Sequence, residues 1–233
     1  MLSFRRFGTL LAQKETTTLP PDNNFRSSPQ TSTVIGVLGG IASGKSEVGR
    51  RLAGSGGTLI VADQIAHEIL ASPECVAFLR DRFGPDVIDS AGLPDRAAIG
   101  ERVFRNPDDL RALEAWTHPL VRARILVEIE AARDSHRNPI VLDVPLLLEN
   151  DAQHGLVNEC DHLVFVDADK AVREQRARDN RNWNPGELQR REAAQFPMEK
   201  KRQAASHVIA NREGITELEE RIDALRKELQ LNE

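Results

Sequence analysis

The stretch Gly39-Gly40-Ile41-Ala42-Ser43-Gly44-Lys45-Ser46 constrains this chain more than any other. It fits G-x-x-x-x-G-K-[ST], a glycine loop that cradles phosphates. Val34-Ile35-Gly36-Val37-Leu38 precedes it, an apolar, partly β-branched run that reads as a buried parallel strand. Glu47 to Leu52 follows and reads as a helix, with Val48 and Leu52 four apart on one face. Strand, loop and helix are the context the motif requires, and a chance glycine turn beside a surface lysine would not supply it. Glycines let the backbone wrap a phosphate at a distance that any Cβ would obstruct. The amides of the first helical turn point at that anion. Lys45 adds a mobile positive charge, and the Ser46 hydroxyl can ligate Mg²⁺. The loop therefore binds a nucleoside triphosphate, ATP or GTP.

The 233 residues suffice for one large domain, or for a core with insertions. Cys75 and Cys160 form no C-x-x-C pair and no Cys/His cluster. They read as two reduced thiols, which suits the cytoplasm. The formal net charge of −5 argues against bulk nucleic-acid binding. No apolar run approaches the ~18 residues of a membrane span. Residues 1–33 are rich in Asn, Ser, Thr and Pro and read as a disordered extension. Arg5, Arg6, Leu10 and Leu11 lack the unbroken apolar core of ~7–15 residues that a signal peptide needs. A transit peptide or a misassigned start are the alternatives to a plain tail.

Leu59-Ile60-Val61-Ala62 reads as a second strand ending at Asp63. In open α/β sheets ligands sit outside the carboxyl ends of strands, so Asp63 stands where chemistry happens. It could equally cap a helix starting at Gln64, and position does not separate the two. From Ile65 to Arg133 the pattern is helical, broken at Ser72-Pro73, Gly84-Pro85, Gly92-Leu93-Pro94 and Asn106-Pro107. An insertion at the carboxyl edge of the sheet is a natural place for a second substrate. Ile140 to Val144 reads as a third strand carrying Asp143, in the manner of a Walker B acid. Leu163 to Asp167 and His207 to Ala210 read as the fourth and fifth.

Between those last two strands, Lys170 to Arg202 holds ten Lys/Arg and five Asp/Glu, a charge of +5 in a chain of −5. A solvated helix pair is the usual fate of such a run. The cluster Arg173, Arg176, Arg178 and Arg181 favours a basic lid over phosphates. At the end, Ile215, Leu218, Ile222, Leu225 and Leu229 mark a helix packed on the sheet. Thr216 and Glu219 have the spacing of a capping box. The whole reads as an α/β fold with a three-layer P-loop core around a five-stranded parallel sheet. Residues 34–63, 136–169 and 203–233 form that core, 64–135 a helical insertion and 170–202 the lid.

Several segments, taken in order, are similar to dephospho-CoA kinases: Gly39-Gly40-Ile41, Ala62-Asp63-Gln64-Ile65-Ala66, Asp89 to Arg96 with Val103-Phe104, His118-Pro119-Leu120-Val121, Pro145 to Glu149, and Gln195 through Lys201. The resemblance runs from about Val34 to the C-terminus. It implies ATP- and Mg²⁺-dependent phosphorylation of the ribose 3′-hydroxyl of dephospho-CoA, with 64–135 as the CoA-binding part. The sequence does not fix the oligomeric state, and a monomer is the default expectation. Asp63 matches the family's proposed base. Lys45 would sit on the β/γ-phosphates within a nucleotide site of Ala42, Ser43, Gly44, Lys45, Ser46 and Glu47. Ser46 would bind Mg²⁺, and Asp143 would hold it through water or orient Ser46. Arg176 is the first choice for the transferring phosphoryl group, a role worth ~10³–10⁵ in rate, and Arg181 is the second. His118 would lie on the substrate side, in a segment that Pro119 ends or kinks. Glu149 would meet substrate or a lid arginine, or cap a helix.

Three positions depart from the family pattern. Ala42 stands where glycine is usual, Glu47 where threonine is, and His67 where arginine is. A carboxylate ~5 Å from a phosphate charge is repelled by about 3 kcal/mol at an effective dielectric of 20. The attraction of an acid to a helix N-terminus is only ~0.3–1 kcal/mol. Glu47 must therefore point away if ATP binds in the usual pose. His67 weakens an anionic contact to substrate phosphate where the imidazole is uncharged. A nucleoside or nucleotide kinase and a divergent, low-activity family member are the competing readings. A GTPase-type switch is disfavoured, since Asp89-Ser90-Ala91-Gly92 ends no strand and no N-K-x-D segment occurs.

Overall fold

The five apolar runs form one sheet in the computed structural model, which describes residues 32–231. The expected disordered extension lies outside the described residues except for its last two positions. The strands are β1 (Val34–Gly39), β2 (Thr58–Val61), β3 (Ile140–Asp143), β4 (His162–Asp167) and β5 (His207–Ala210). All pair in parallel, in the order β2-β3-β1-β4-β5. In register, Ile35 pairs with Val141 on one side and His162 on the other. Between β1 and β2 lies α1 (Lys45–Ala53). Between β2 and β3 lie α2 (Ala62–Leu70), α3 (Pro73–Phe83), α4 (Arg96–Arg105) and α5 (Pro107–Asp134). The short α6 (Asp151–His154) precedes β4, and α7 (Lys170–Arg181), α8 (Glu187–Glu192) and α9 (Met198–Ala204) precede β5. The last helix is α10 (Ile215–Glu228).

Side chains alternate across a strand, and here the alternation builds two cores. Val34, Leu38, Ile60, Leu142 and Phe165 face α2 and α5 through Ile65, Ile125 and Ile129. Ile35, Val37, Val141, Val164 and Val166 face α1 and α10 through Val48, Leu52, Leu218, Ile222 and Leu225. A parallel sheet covered on both faces is the only arrangement that buries such strands fully. A third cluster of Cys75, Leu79, Phe83, Val87 and Ile99 belongs to the inserted helices. Trp116 joins its rim, stacked on Phe78 with ring centroids 5.0 Å apart. The insertion thus has a small core of its own, while α2 and α5 also serve the sheet.

Two of the breaks read inside the insertion are helix starts. The Ser72 hydroxyl accepts from the Cys75 amide at 3.2 Å and Pro73 is the first helical residue. The Asn106 side chain accepts from the Asp108 amide at 3.0 Å and Pro107 is first. Proline suits that position because the missing N–H has no intrahelical acceptor there.

Of the end or kink expected at Pro119, the end does not occur: α5 runs through it from Pro107 to Asp134. A proline inside a helix, with its lost backbone bond and ring clash, costs about 3 kcal/mol, and the burial of Ile125, Ile129 and Ala132 beyond it offsets that. One other local expectation fails outright. Thr216 and Glu219 form no capping box. Gly214 is the N-cap residue of α10, which places Thr216 inside the first turn. The Glu219 carboxylate pairs with Arg51 on α1 instead. Thr216→Ala should therefore change stability by less than about 0.5 kcal/mol rather than the ~1 kcal/mol of a lost cap. Ile222→Ala should cost about 2–5 kcal/mol. Urea denaturation of both variants checks the pair, and a full capping loss for Thr216→Ala would contradict it.

Candidate active site

The sheet order places the carboxyl ends of β1, β2 and β3 side by side, where open α/β sheets bind ligands. β1 runs into the glycine loop, β3 ends at Asp143, and Asp63 follows β2 by two residues. Their side chains line one cavity of ≈ 470 Å³ with Glu149, Arg176, Arg181 and Lys201.

The loop is held from behind. The Asn211 amide donates to the Ser43 carbonyl at 2.8 Å, and Arg176 donates to the same carbonyl at 3.2 Å and to Asn211 Oδ1 at 3.2 Å. Gly44 has φ 93°, and a Cβ there would stand 2.3 Å from Asn211 Nδ2. Ala42 has φ 60°, a left-handed backbone that an L side chain adopts at a cost of about 1–2 kcal/mol. That strain is a physical reason for glycine at this position. Ser43 is fully buried, and its hydroxyl has no hydrogen-bond partner among the described residues. An orphaned buried hydroxyl within a phosphate loop fits a site that an anion completes.

Lys45 donates to the carbonyls of Gly39 at 3.3 Å and Gly40 at 2.9 Å. Burial pushes its amine down from 10.5 to about 8. Asp143 draws it back up, while Lys201 and Arg181 push it further down. Asp143 is itself buried, on the last residue of β3. Ser46 lines the same wall from the start of α1. Among the described residues no group of three or more His, Cys, Asp or Glu side chains could hold a metal. One carboxylate and one hydroxyl nevertheless fit Mg²⁺, which usually takes one or two protein oxygens plus phosphates and water.

Asp63 lies in the first turn of α2, exposed toward the cavity. Val61 is the N-cap residue and no side chain caps this helix, so the capping alternative does not hold. Glu47 faces down α1, paired with Arg50 and with Arg51 at 2.5 Å. Chiefly the Arg51 hydrogen bond holds its carboxyl below the usual range. The charge that would repel ATP is therefore partnered on the side chain's own helix.

Glu149 finds neither a lid arginine nor a helix end but Lys201, at 2.8 Å. Its carboxylate also accepts from the Phe196 amide at 3.1 Å, and Lys201 donates to Gln195 Oε1 at 2.9 Å. Burial raises the Glu149 carboxyl, but Lys201 and Phe196 outweigh it and the net direction is down. His118 is exposed on α5 and does not line the cavity. The Arg96 guanidinium lies against His67 Nε2, one turn along α2 from Asp63.

The arginines of residues 170–202 separate by their partners. Arg173 is buried, donates to the Ala168 carbonyl at 3.1 Å and pairs with Glu192. Glu192 in turn accepts from the Ile41 amide at 3.3 Å, which stitches α8 to the loop. Arg178 donates to Gln175. Arg181 lines the cavity with no ion pair or hydrogen bond among the described residues. Three features of the site escape the sequence. Asn211 carries no motif of its own, although a polar residue just past β5 is a signal by position, and nothing in the segments holding Lys201 and Glu149 announces that the two pair. Leu146, also on the cavity wall, has φ 54°, which no sequence pattern announces.

The cavity gathers the glycine loop, Lys45, Arg176, Arg181 and Lys201 around a place for phosphate groups, with the Asp63 carboxylate at its edge. These are the parts of a P-loop phosphotransferase. Comparison with known proteins narrows the class. The dephospho-CoA kinase family model matches residues 33–217. A dephospho-CoA kinase of Symbiobacterium thermophilum is 36% identical over 193 residues, covering 82% of this chain and 79% of the relative. One from Streptomyces avermitilis is 40% identical over 191 residues, covering 81% and 89%. Among solved structures, TT1252 from Thermus thermophilus superposes with a TM-score of 0.70 at 31% identity, covering 86% of this chain and 98% of its own. The dephospho-CoA kinase of Campylobacter jejuni gives 0.61 at 25%, covering 85% and 97%. The chain belongs to the dephospho-CoA kinase family.

The strained residue in the loop yields a test. Ala42→Gly removes a Cβ at positive φ but gives the unfolded chain more freedom, so the net gain should be about 0.5–1 kcal/mol. Thermal and urea denaturation should show it, and a loss of stability would contradict the left-handed conformation.

Proposed function

We propose that this chain transfers the γ-phosphoryl group of ATP to the ribose 3′-hydroxyl of 3′-dephospho-CoA, giving coenzyme A and ADP. Family membership supports the reaction. The observation that carries the residue roles is the unpartnered carboxylate of Asp63 facing the same cavity as Lys45. Asp63 accepts the 3′-hydroxyl proton as the oxygen bonds to phosphorus and ADP departs with the electrons of the broken bond. Lys45 and the amides of Ala42, Ser43, Gly44, Ser46 and Glu47 hold the β- and γ-phosphates. Ser46 and Asp143 would hold Mg²⁺, which when bound would neutralise phosphate charge.

Arg176 and Arg181 remain the two lid candidates for the transferring group. Arg176 uses donors on Ser43 and Asn211, and Arg181 has all of its donors unused. Arg181 is accordingly the phosphoryl contact, and Arg176 supports the loop beside it. Residues 64–135 serve as the acceptor-binding part, with His118 on the substrate side, and 170–202 serve as the lid. Glu149, through Lys201, borders the acceptor end.

The enzyme works in the cytoplasm as a monomer, without nucleic acid or membrane. The net charge of −5 supports the exclusion of nucleic acid. Among the described residues no helix is long and apolar enough to cross a membrane. Burial pushes the thiols up, Cys75 to about 11 and Cys160 to about 12, which suits reduced cysteines.

An ADP-release assay with dephospho-CoA against a panel of nucleosides and nucleoside monophosphates tests the acceptor. Turnover should require dephospho-CoA, and Asp63→Asn should lower kcat by ~10²–10⁴-fold while ATP still binds. Turnover with a monophosphate and none with dephospho-CoA would overturn the assignment. Transfer that does not depend on Asp63 would remove the base.

A further inference from the structure

We infer that Trp183 is a positioning residue for phosphoryl transfer: its indole ring holds the guanidinium of Arg181 at the cavity. The inference rests on the reading of Arg181 as the phosphoryl contact. Arg181 is the last residue of α7, followed by Asn182 with φ 52°, which turns the chain back toward α8. Trp183 comes next, half-buried in that turn. The Arg181 guanidinium lies 5.0 Å from the ring centroid of Trp183, and that of Arg191 lies 4.5 Å from it. Arg191 is fixed in turn by Glu187, Nε to Oε1 at 2.6 Å. The indole therefore bridges an anchored arginine on α8 and a cavity arginine on α7.

What distinguishes this arrangement is how Arg181 is held. The neighbouring lid arginines Arg173, Arg190 and Arg191 are placed by carboxylates, and Arg176 by carbonyl and amide oxygens. Such partners occupy N–H donors and lower the positive potential. An aromatic face attracts a guanidinium within about 6 Å without accepting its N–H groups. Arg181 can be ordered by the ring while every donor stays available to a phosphate oxygen. A long side chain loses rotamer freedom when it meets substrate, and ordering it beforehand lowers that cost.

Trp183 also lines a small hollow with Ala177, Pro185 and Leu188, so it could merely pack the lid. A cycle of variants in the full-length protein separates the roles. Arg181→Ala should lower kcat by ~10³-fold or more. Trp183→Ala should lower kcat by about threefold to thirtyfold, with KM for dephospho-CoA unchanged. Trp183→Phe keeps a π face and should recover most of the rate. In the Arg181→Ala background, Trp183→Ala should have no further effect. With Trp116→Phe to leave one indole, Trp183 emission should change when Mg·ATP binds, and that response should vanish with Arg181→Ala. An equal loss from Trp183→Ala in both backgrounds would overturn the positioning role. A wild-type kcat for Arg181→Ala would instead overturn the underlying assignment of Arg181.

Discussion

The site is organised around one half-buried cation whose amine is partly shut off from water. Lys45 sits at the switch point of the sheet, hydrogen-bonded to two loop carbonyls and, among the described residues, to no carboxylate. Taking an ammonium out of water is costly unless a counter-charge repays it. Asp143 is the largest favourable influence, and Lys201 and Arg181 oppose it. Lys45, Lys201 and Arg181 thus form a cationic neighbourhood whose charge a bound polyanion would neutralise.

Around that cation the scaffold is built to stay still. The period-2 alternation of β1 sends Val34 and Leu38 to one core and Ile35 and Val37 to the other, so the strand entering the loop is clamped on both faces. Asn211 and Arg176 then fix the Ser43 carbonyl from the β5 side. Glu192 ties the Ile41 amide to α8. A loop fixed by partners just past β5 and on α7 and α8 can tolerate the strained Ala42 where glycine would be easier. It can tolerate Glu47 because Arg50 and Arg51 take up its charge.

How much of this was legible in the sequence follows from range. Strands, loop and strand-end acids are local patterns, and all five strands fall where their apolar runs stand, within a residue or so at each end. Asp63 and Asp143 could be placed because strand ends have a known relation to the ligand crevice. What escaped is long-range pairing. Lys201 and Glu149 are far apart in sequence and meet only through the fold. Asn211 reaches Ser43 across 168 positions. The capping box failed for the same reason: Glu219 had a better partner in Arg51 on another helix. Pro119 does not end α5 because the helix's far half is buried in the core.

The account turns on the desolvated charge of Lys45, and titrating that amine is its most direct test. Side-chain NMR of isotope-labelled lysine, with Lys45→Arg to assign the signal, should give a value of about 8 in the free protein. Addition of Mg·ATP should raise it by about a unit or more, as an opposite charge does. Above pH 8 the free enzyme must then take up a proton to bind ATP, so affinity should weaken as pH rises through that range. An amine titrating near its ordinary ~10.4 in the free protein, with no response to nucleotide, would contradict the account.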